Sequence, residues 1–376
     1  MIRLLHTADL HLDAPFPSLG EREEQRRNDL LNTFDRLLNL AIKREVHLFL
    51  IAGDLFDSPK PSDACVARVQ NGLQRLVDRG IVPVILPGTH DNVVASQSVY
   101  RQHSFPGTIL LDKPWVDEPV EVMVGDERVY LYGFAFRTFA SKDAMESMQR
   151  RSPEGVHIGL LHGSRQGSPE WNYRAKDLPF SLPQLRDWGL DYVALGHYHN
   201  YETFVDGDTA FAGYPGTPEG KRFGEEGPRQ AILATLEEGR CGVEPLVCNS
   251  RVLDSRSIDL SGCLDEAQAI AAVRRLGNPD LLLRLELIGI VEAPLDLDRL
   301  HSRCDPDFFA LELIDKTQLF ASDFAKRIED EETVRGLFVR RARVLLQDVP
   351  DAEKSTVEAA FREVMVRFHA FSGDES

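Results

Sequence analysis

Acidic residues and histidines stand where five short apolar runs of this chain end. The runs with their endings read IRLLHTADLH, VHLFLIAGD, VPVILPGTHD, VHIGLLHG and YVALGHYH. The residues in these endings that could bind a metal ion or move a proton are Asp9, His11, Asp54, His90, Asp91, His162, His197 and His199. Such side chains fit poorly inside a buried strand, but ligands of open α/β sheets bind just beyond the carboxyl ends of strands. The five endings together therefore predict one site assembled from strand ends.

The side-chain types in this set are those of a metal site. In an extended segment the side chains at i and i+2 point the same way, so Asp9 and His11 could share one cation, as could His197 and His199. The two oxygens of Asp54 could bridge two ions. Oxygen and nitrogen ligands without a thiolate suit Mn²⁺, Fe or Zn²⁺ and not a structural zinc centre. Two ions about 3.5 to 4 Å apart activate water and clamp a phosphoryl group, so phosphoester hydrolysis is the natural use.

The elements that must position these residues alternate between strand and helix. The segment Asn28–Lys43 has an apolar stripe with Arg and Asp opposite, which predicts an amphipathic helix. Strands are predicted over Val46–Ala52 and Val82–Leu86, with a helix capped by Ser62 between them. This alternation implies a parallel sheet with right-handed crossovers. From about Val120, strands with tight turns predict a second, more antiparallel sheet.

The large domain is predicted to end near residue 250, in or close to the segment CNSRVLDS. Residues 251–318 then predict a small α/β unit of alternating helices and strands. Residues 319–376 are predicted to be helical, because apolar residues such as Val357, Phe361 and Val364 recur at helical spacing. The apolar faces of these helices must be covered, and packing on the same protein is favoured over docking onto a partner's coiled coil.

The composition excludes several classes of protein. A formal net charge of −17 and a pI of about 5.1 argue against clamping nucleic acid by bulk positive charge, so metal ions, local basic patches or a partner would meet a polyanion. The five cysteines form no CxxC pair and are an odd number, which argues against a disulfide framework and a thiolate zinc site. There is no membrane span and no apolar core of a signal peptide near the start. We therefore expect a soluble, cytoplasmic protein.

The order of the motifs resembles a known family. D-x-H, G-D-x-x-D, G-x-H-D, H-G and G-H-x-H follow one another between Ile2 and about Asn200, as in the calcineurin-like metallophosphoesterase superfamily. LLHTADLHLD, GDLFDSPKPS, ALGHYHN and YPGTPEGKRFGEEGPRQAILATLEEG look like the SbcD-like branch of DNA double-strand-break-repair exonucleases. The resemblance implies a four-layer α/β/β/α metallophosphoesterase sandwich over residues 1–250. It also implies an α/β capping domain over residues 251–318 and a helical partner-docking segment over residues 319–376.

The resemblance further implies two divalent metal ions per chain, with Mn²⁺ as the first choice. The implied ligands are Asp9, His11, Asp54 and His199 for one ion, and Asp54, Thr89, His162 and His197 for the other. By the same resemblance, His90 would approach the scissile phosphate or protonate the leaving oxygen, with Asp91 orienting its ring.

One position departs from the family pattern. Where the family has Asn in its G-N-H-D block, this chain has Thr89. A hydroxyl is a weaker ligand than an amide carbonyl, so the second ion is expected to bind less tightly. Asp57 stands where eukaryotic and archaeal relatives often have His, and it is not assigned as a ligand.

The function that the resemblance implies is that of a two-metal-dependent DNA exonuclease and endonuclease subunit. It would hydrolyse phosphodiester bonds in double-strand-break repair, as a homodimer and with an SMC-like coiled-coil ATPase. Two alternatives stay open. A phosphoesterase for small nucleotides or phosphoproteins would not need the cap and tail, whereas a metal-poor scaffold subunit of the ATPase complex would explain Thr89.

Basic and aromatic residues near the motif loops are candidates for contact with DNA. The basic candidates are Lys60, Arg101, Arg165, Lys221 and Arg222, although solvated surface is the better interpretation of any single one. Trp171 and Tyr173 could stack on a base, but packing within their own loop is favoured.

Overall fold

The structure is a computed structural model, and it describes residues 1–135, 142–169, 178–261, 263, 265–291, 294–319 and 322–372. The chain divides into two compact units, Met1–Val252 and Leu253–Ser376. Trp171 and Tyr173 lie outside the described residues. The division at residues 250 and 318 into nuclease, capping and docking parts stays a prediction.

Two six-stranded sheets form the frame of the first unit. Its strands are β1 (Ile2–Thr7), β2 (Leu48–Ala52), β3 (Val82–Leu86), β4 (Ile109–Leu110), β5 (Val120–Val124), β6 (Glu127–Gly133), β7 (Val156–His162), β8 (Ser164–Arg165), β9 (Pro179–Phe180), β10 (Tyr192–Gly196), β11 (Glu202–Asp206), β12 (Thr209–Tyr214), β13 (Gln230–Glu237) and β14 (Arg240–Val247). Its helices are α1 (Glu23–Lys43), α2 (Asp63–Val77), α3 (Val99–Gln102), α4 (Lys142–Glu146) and α5 (Leu182–Asp187).

The strands that end at the predicted site residues run parallel within their sheets. The first sheet has the order β14-β13-β1-β2-β3-β4, in which β1, β2 and β3 pair in parallel. The second has the order β11-β12-β10-β7-β6-β5, in which β6, β7, β10 and β12 are parallel neighbours. The prediction of a more antiparallel second sheet was wrong, because only its edge pairs are antiparallel. The segments with α4 and α5 cross over between β6, β7 and β10, which returns each strand in the same direction.

The two sheets face each other, and helices cover their outer faces. Leu4 and Leu50 from the first sheet share a buried cluster with Leu131 and Leu160 from the second. Helices α1 and α2 pack on the outer face of the first sheet, and α4 and α5 pack on that of the second. Because each sheet is covered on both faces, its strands are continuous apolar runs and not alternating ones. The predicted four-layer α/β/β/α sandwich is confirmed.

The helix starts and strand limits of the first sheet follow local signals. Ser62 caps α2 by accepting a hydrogen bond from the Cys65 backbone N–H at 3.4 Å, as its position before the apolar stripe predicts. The strand β3 has the predicted bounds, and β2 begins two residues after the predicted start. Helix α1 begins at Glu23, five residues before the predicted Asn28.

The second unit contains a small sheet followed by helices. Its strands are β15 (Val252–Asp259), β16 (Asn278–Ile288), β17 (Ile290–Val291), β18 (Phe308–Asp315) and β19 (Gln318–Leu319), and its helices are α6 (Glu266–Arg274), α7 (Leu297–Cys304), α8 (Ser322–Glu329), α9 (Val334–Asp348) and α10 (Asp351–Ser372). β15, β16 and β18 form a three-stranded sheet in that order. The predicted linker CNSRVLDS therefore contains the start of β15, which was not predicted. Among the described residues, no helix is both long and apolar enough to cross a membrane.

Candidate metal centre

The predicted site residues meet where strands of both sheets end. Asp9 and His11 follow β1, and Asp54 follows β2, so the parallel pairing of these strands brings the three residues to one edge. His162 is the last residue of β7, and His197 follows its parallel neighbour β10. The carboxyl ends of parallel strands lie at the same edge of a sheet, and the facing sheets bring their two edges together.

Four of these residues have a backbone that non-glycine residues seldom adopt. The φ angles are 52° at Asp9, 48° at His11, 51° at Asp54 and 104° at His197. Backbone hydrogen bonds hold the first two in place, from Asp9 N to Gly53 O and from His11 N to Asp54 O, each 3.0 Å long. Residues with positive φ that the surrounding structure holds in place are concentrated at functional sites.

A glycine makes room for a ligand side chain. A Cβ atom on Gly53, which has a φ of +96°, would lie 2.1 Å from Nδ1 of His162. No side chain larger than hydrogen fits there while His162 keeps its position. Gly53 therefore allows β2 and β7 to approach closely enough for His162 to reach Asp54.

One group of possible ligands contains Asp9, His11 and His199, whose ligand atoms all lie within 4.8 Å of one another. The Nε2 atoms of His11 and His199 are 3.3 Å apart, and Nε2 of His199 lies 4.0 Å from Oδ1 of Asp9. Two imidazole nitrogens bound to one ion at about 2.1 Å would lie about 3.0 Å apart at a right angle and about 3.4 Å apart at a tetrahedral angle. The observed spacing of the two nitrogens fits a shared ion.

A second group contains Asp9, Asp54 and His162, all of them buried. Oδ2 of Asp54 lies 3.3 Å from Nε2 of His162 and 4.0 Å from Nε2 of His11. Asp54 therefore stands between the two groups, as predicted for a bridging ligand. Asp9 belongs to both groups, although the resemblance implied it for only one.

Thr89 and His197 lie beside this second group. The Thr89 hydroxyl donates to Oδ2 of Asp54 at 3.2 Å, and the His197 ring centroid is 5.2 Å from that of His162. The backbone N–H of His197 donates to the Asp9 carboxylate at 2.9 and 3.1 Å. The structure thus brings all seven implied ligand residues to one place, while their individual roles stay predictions.

His90 and Asp91 follow β3, and their side chains are hydrogen-bonded to other residues of the site and its loops. Nδ1 of His90 lies 3.0 Å from the backbone oxygen of Asp57, and about half of the His90 side chain is exposed. Asp91 is fully buried and accepts hydrogen bonds from Gly88 N at 2.7 Å and the Tyr100 hydroxyl at 2.6 Å. Asp91 therefore stabilises the loop after β3, and the carbonyl of Asp57 is the group that orients the His90 ring.

The donor atoms of the second group fit a cation. Nδ1 of His162 donates to the Ala52 carbonyl at 2.9 Å, so Nε2 of the neutral ring presents a lone pair to the Asp54 carboxylate. This Nε2 atom is buried and has no hydrogen-bond partner among the described residues. Burial lowers the pKa of His162, but the Asp54 carboxylate, the Asp9 carboxylate and the hydrogen bond to the Ala52 carbonyl together raise it to about 10. A divalent ion would replace the proton that otherwise separates these two groups.

Comparison with known proteins assigns the first unit to a family. The family model of the calcineurin-like phosphoesterases matches residues 2–201, more than half of the chain. The chain belongs to this family. Its members are metal-dependent hydrolases. The first and second groups of possible ligands of this phosphoesterase both lie within the matched residues.

Individual relatives are similar at modest identity. An uncharacterized metallophosphoesterase of Bacillus subtilis, YhaO, is 25% identical over 78% of this chain and 74% of its own length. The DNA double-strand break repair protein Mre11 of Sulfurisphaera tokodaii is 30% identical over 54% of this chain and 51% of its own length. The alignment thus spans about half the length of that Mre11 protein. Among solved structures, the protein TT1561 of Thermus thermophilus aligns with 65% of this chain and 98% of its own, at 11% identity and a TM-score of 0.38.

Two carboxylates of this phosphoesterase were not predicted as part of the site. Oδ1 of Asp57 lies 3.1 Å from Nδ1 of His11, and Oε1 of Glu225 lies 2.6 Å from Nδ1 of His199. Asp57, His11 and His90 also form a third group of possible ligands. Glu225 is buried, with 3% of its side chain exposed. Its segment KRFGEEGP is part of the family resemblance, and that resemblance was the only signal for Glu225 in the sequence.

The basic residues proposed for DNA contact differ in how available they are. Lys221 contacts Asp57 through Nζ at 2.6 Å, and Arg165 contacts Glu202 through Nη2 at 2.7 Å. The exposed residues of the set are Lys60, Arg101 and Arg222. Arg222 contacts Glu225 through Nε at 3.0 Å. Within the described ranges, the Lys60 and Arg101 side chains make no ion pair.

Proposed function

We propose that this phosphoesterase is a two-metal-dependent DNA nuclease. The observation that supports this most strongly is the presence of two adjacent groups of possible ligands that share Asp9, with Asp54 standing between them. A nuclease must bind a bridging phosphate and supply a nucleophilic water at one place. Two adjoining cation sites at the open edge of a sheet suit this reaction.

The proposed ligands are those implied by the family resemblance. Asp9, His11, Asp54 and His199 would hold one ion, and Asp54, Thr89, His162 and His197 would hold the other. When bound, such a pair of ions would activate water for attack and neutralise the charge of the phosphate. Mn²⁺ is the proposed metal, because the ligands are oxygens and imidazole nitrogens.

The residues of the chain have their own parts in the reaction. The carboxylate of Asp54 joins the two sites, and its Oδ1 atom accepts a hydrogen bond from His90 N at 2.8 Å, which holds the loop after β3 against the site. Because the Asp57 carbonyl holds Nδ1 of His90, a protonated ring has its Nε2–H available for the leaving oxygen. The exposure of this ring gives a phosphodiester access to it.

DNA is the proposed substrate because of the relatives. Three of the similar proteins are named DNA double-strand break repair protein Mre11, and they align with about half of this chain. The exposed cations Lys60, Arg101 and Arg222 are the proposed phosphate contacts in a chain with a net charge of −17. A role in double-strand-break repair, homodimer formation and a cytoplasmic location are parts of the same proposal.

Digestion of DNA by the purified chain tests the proposal. With Mn²⁺ present, we expect cleavage of end-labelled linear duplex and single-stranded DNA, and no cleavage with EDTA. A nucleoside monophosphate and a phosphopeptide serve as the competing small substrates. Hydrolysis of either of these without cleavage of DNA would favour the small-substrate phosphoesterase. A metal content well below two ions per chain at saturating Mn²⁺, with no hydrolysis, would favour the scaffold alternative.

We propose that helix α9 binds the coiled coil of an SMC-like ATPase. One face of α9 packs inside the second unit through Val339, which shares a buried cluster with Ile328 and Met365. A second apolar stripe of the same helix is exposed: Val334 by 82%, Leu337 by 52%, Val344 by 56% and Leu345 by 49%. Such a stripe fits the apolar seam of a partner helix.

The docking proposal is tested by co-purification with an SMC-like ATPase from the same organism. We expect the double variant Leu337→Asp with Val344→Asp to lower the recovered ATPase at least about tenfold, since two buried charges would enter the apolar seam. Val205→Asp is the matched control, because Val205 is 56% exposed in the first unit. Equal recovery with all three proteins would exclude α9 as the docking helix.

A further inference from the structure

In the first ligand group, a carboxylate lies beside the Nδ1 atom of each imidazole. The Nε2 atoms of His11 and His199 face each other, and their Nδ1 atoms lie 3.1 Å from Asp57 Oδ1 and 2.6 Å from Glu225 Oε1. An ionised carboxylate only accepts hydrogen bonds, so Nδ1 of His199, which is hydrogen-bonded to Glu225, has the proton and its Nε2 presents a lone pair. Nδ1 of His11 lies close to Asp57 but makes no hydrogen bond within the described part of the chain. With the proton on His11 Nδ1 as well, two lone pairs would face each other at 3.3 Å unless a cation lay between them.

A lysine connects the two carboxylates. Nζ of Lys221 lies 2.6 Å from Oδ1 of Asp57, and the backbone N–H of Lys221 donates to Oε2 of Glu225 at 2.7 Å. The contacts therefore close a ring through Asp57, Lys221, Glu225, His199 and His11. Its members come from four distant parts of the chain, following β1, β2, β10 and β12.

The position of Lys221 makes Asp57 a poor metal ligand and a suitable partner for His11. Asp57, His11 and His90 together could bind a cation, but the ammonium group of Lys221 already lies against the Asp57 carboxylate. A metal ion at the same oxygen would be repelled by this charge at close range. The ammonium group also keeps the Asp57 carboxylate directed at the His11 ring.

We propose that Asp57, Lys221 and Glu225 are positioning residues that hold His11 and His199 in the tautomer and orientation needed to bind the first metal ion. This inference rests on the proposed function, since it concerns the same metal site. A carboxylate at Nδ1 fixes the ring and makes Nε2 a better ligand, and the loss of such a partner typically weakens metal binding about 10- to 100-fold. Lys221 is thereby assigned to the support of the site and not to the binding of DNA.

Calorimetric titration of the metal-free full chain with Mn²⁺ tests the inference without measuring catalysis. We expect Glu225→Leu to weaken one of the two binding events by about 10- to 100-fold. Glu225→Gln should weaken it less, because an amide oxygen still accepts the proton of His199 Nδ1. At position 57, Asp57→Leu should likewise weaken Mn²⁺ binding more than Asp57→Asn does. This graded order follows the strength of the acceptor, whereas a purely structural role of the carboxylate would not produce it.

Glu244→Gln is the control, because it removes one carboxylate from an exposed ion pair with Arg44, and it should leave both binding events unchanged. Thermal unfolding of each metal-free variant identifies any that do not fold, and the amide variants keep the test valid if a leucine variant fails. If the wild type binds two ions and all four site variants bind them as tightly as the wild type, the positioning role is excluded and the two-metal proposal stands. If the wild type binds none, the two-metal proposal fails and the positioning role fails with it.

Discussion

Replacing Asp54 with Asn is expected to reduce Mn²⁺-dependent phosphodiester hydrolysis by at least about 10³-fold, equivalent to about 4 kcal/mol of transition-state stabilisation. Oδ2 of Asp54 lies 3.3 Å from Nε2 of His162 and 3.2 Å from the Thr89 hydroxyl, and Nε2 of His11 is 4.0 Å away. The variant removes the negative charge where the two ligand groups meet. Both ions should therefore bind more weakly. Hydrolysis of bis(p-nitrophenyl) phosphate measures the resulting loss of activity independently of any DNA contact.

Metal-induced stabilisation gives a second measurement on the same variant. For the wild type, Mn²⁺ at about 100 times its dissociation constant should stabilise the folded state by about 2.7 kcal/mol per site. Asp54→Asn should show little of this increase while it remains folded without metal. Asp112→Asn, at an exposed position, is the matched control and should behave as the wild type. Hydrolysis by Asp54→Asn above a tenth of the wild-type rate would refute the bridging role.

Replacing Arg26 with Met should destabilise the first unit by about 3 to 5 kcal/mol, because it leaves a buried carboxylate without its cation. Only 1% of each of the Arg26 and Glu219 side chains is exposed, and Nη1 of Arg26 lies 2.7 Å from Oε1 of Glu219. Arg26 also donates to the Gly220 carbonyl. This cluster anchors the start of the segment that contains Lys221 and Glu225 to helix α1.

Urea unfolding followed by tryptophan fluorescence measures this loss of stability. Trp115, Trp171 and Trp188 are the three tryptophans of the chain, and all lie in the first unit. Arg27→Met on the same helix is the control. Its ion pair with Asp13 is partly exposed, with 40% of the Arg27 side chain exposed, so the expected loss is below about 1 kcal/mol. A loss for Arg26→Met as small as that of the control would show that Glu219 is satisfied by its other hydrogen bonds.

Much of the first sheet could be predicted because its signals are local. The apolar runs of β2 and β3 and the cap of α2 depend on residues near in sequence. The direction of the strands in the second sheet could not be read in this way. It depends on which strands become neighbours, and β7 pairs with β10 across a segment of 29 residues that periodicity does not describe.

The roles of Asp57 and Glu225 in the candidate site could not be predicted from the sequence for a related reason. Asp57 is 46 residues from His11 in sequence, and Glu225 is 26 residues from His199. No spacing rule connects such pairs. The same holds for His90, because the hydrogen bond of its ring to the Asp57 carbonyl depends on how the loop after β3 folds.

By itself, the sequence determined that acidic residues and histidines follow the ends of buried strands, that β1, β2 and β3 run parallel, and which side chains are candidate metal ligands. These properties follow from side-chain chemistry and from the short-range periods of strands and helices. Only the tertiary structure decided that Asp9 belongs to both ligand groups, that Asp57 and Glu225 support His11 and His199, and that Lys221 lies between these carboxylates. Such contacts depend on the packing of two sheets against each other, which brings together residues that are far apart in the chain.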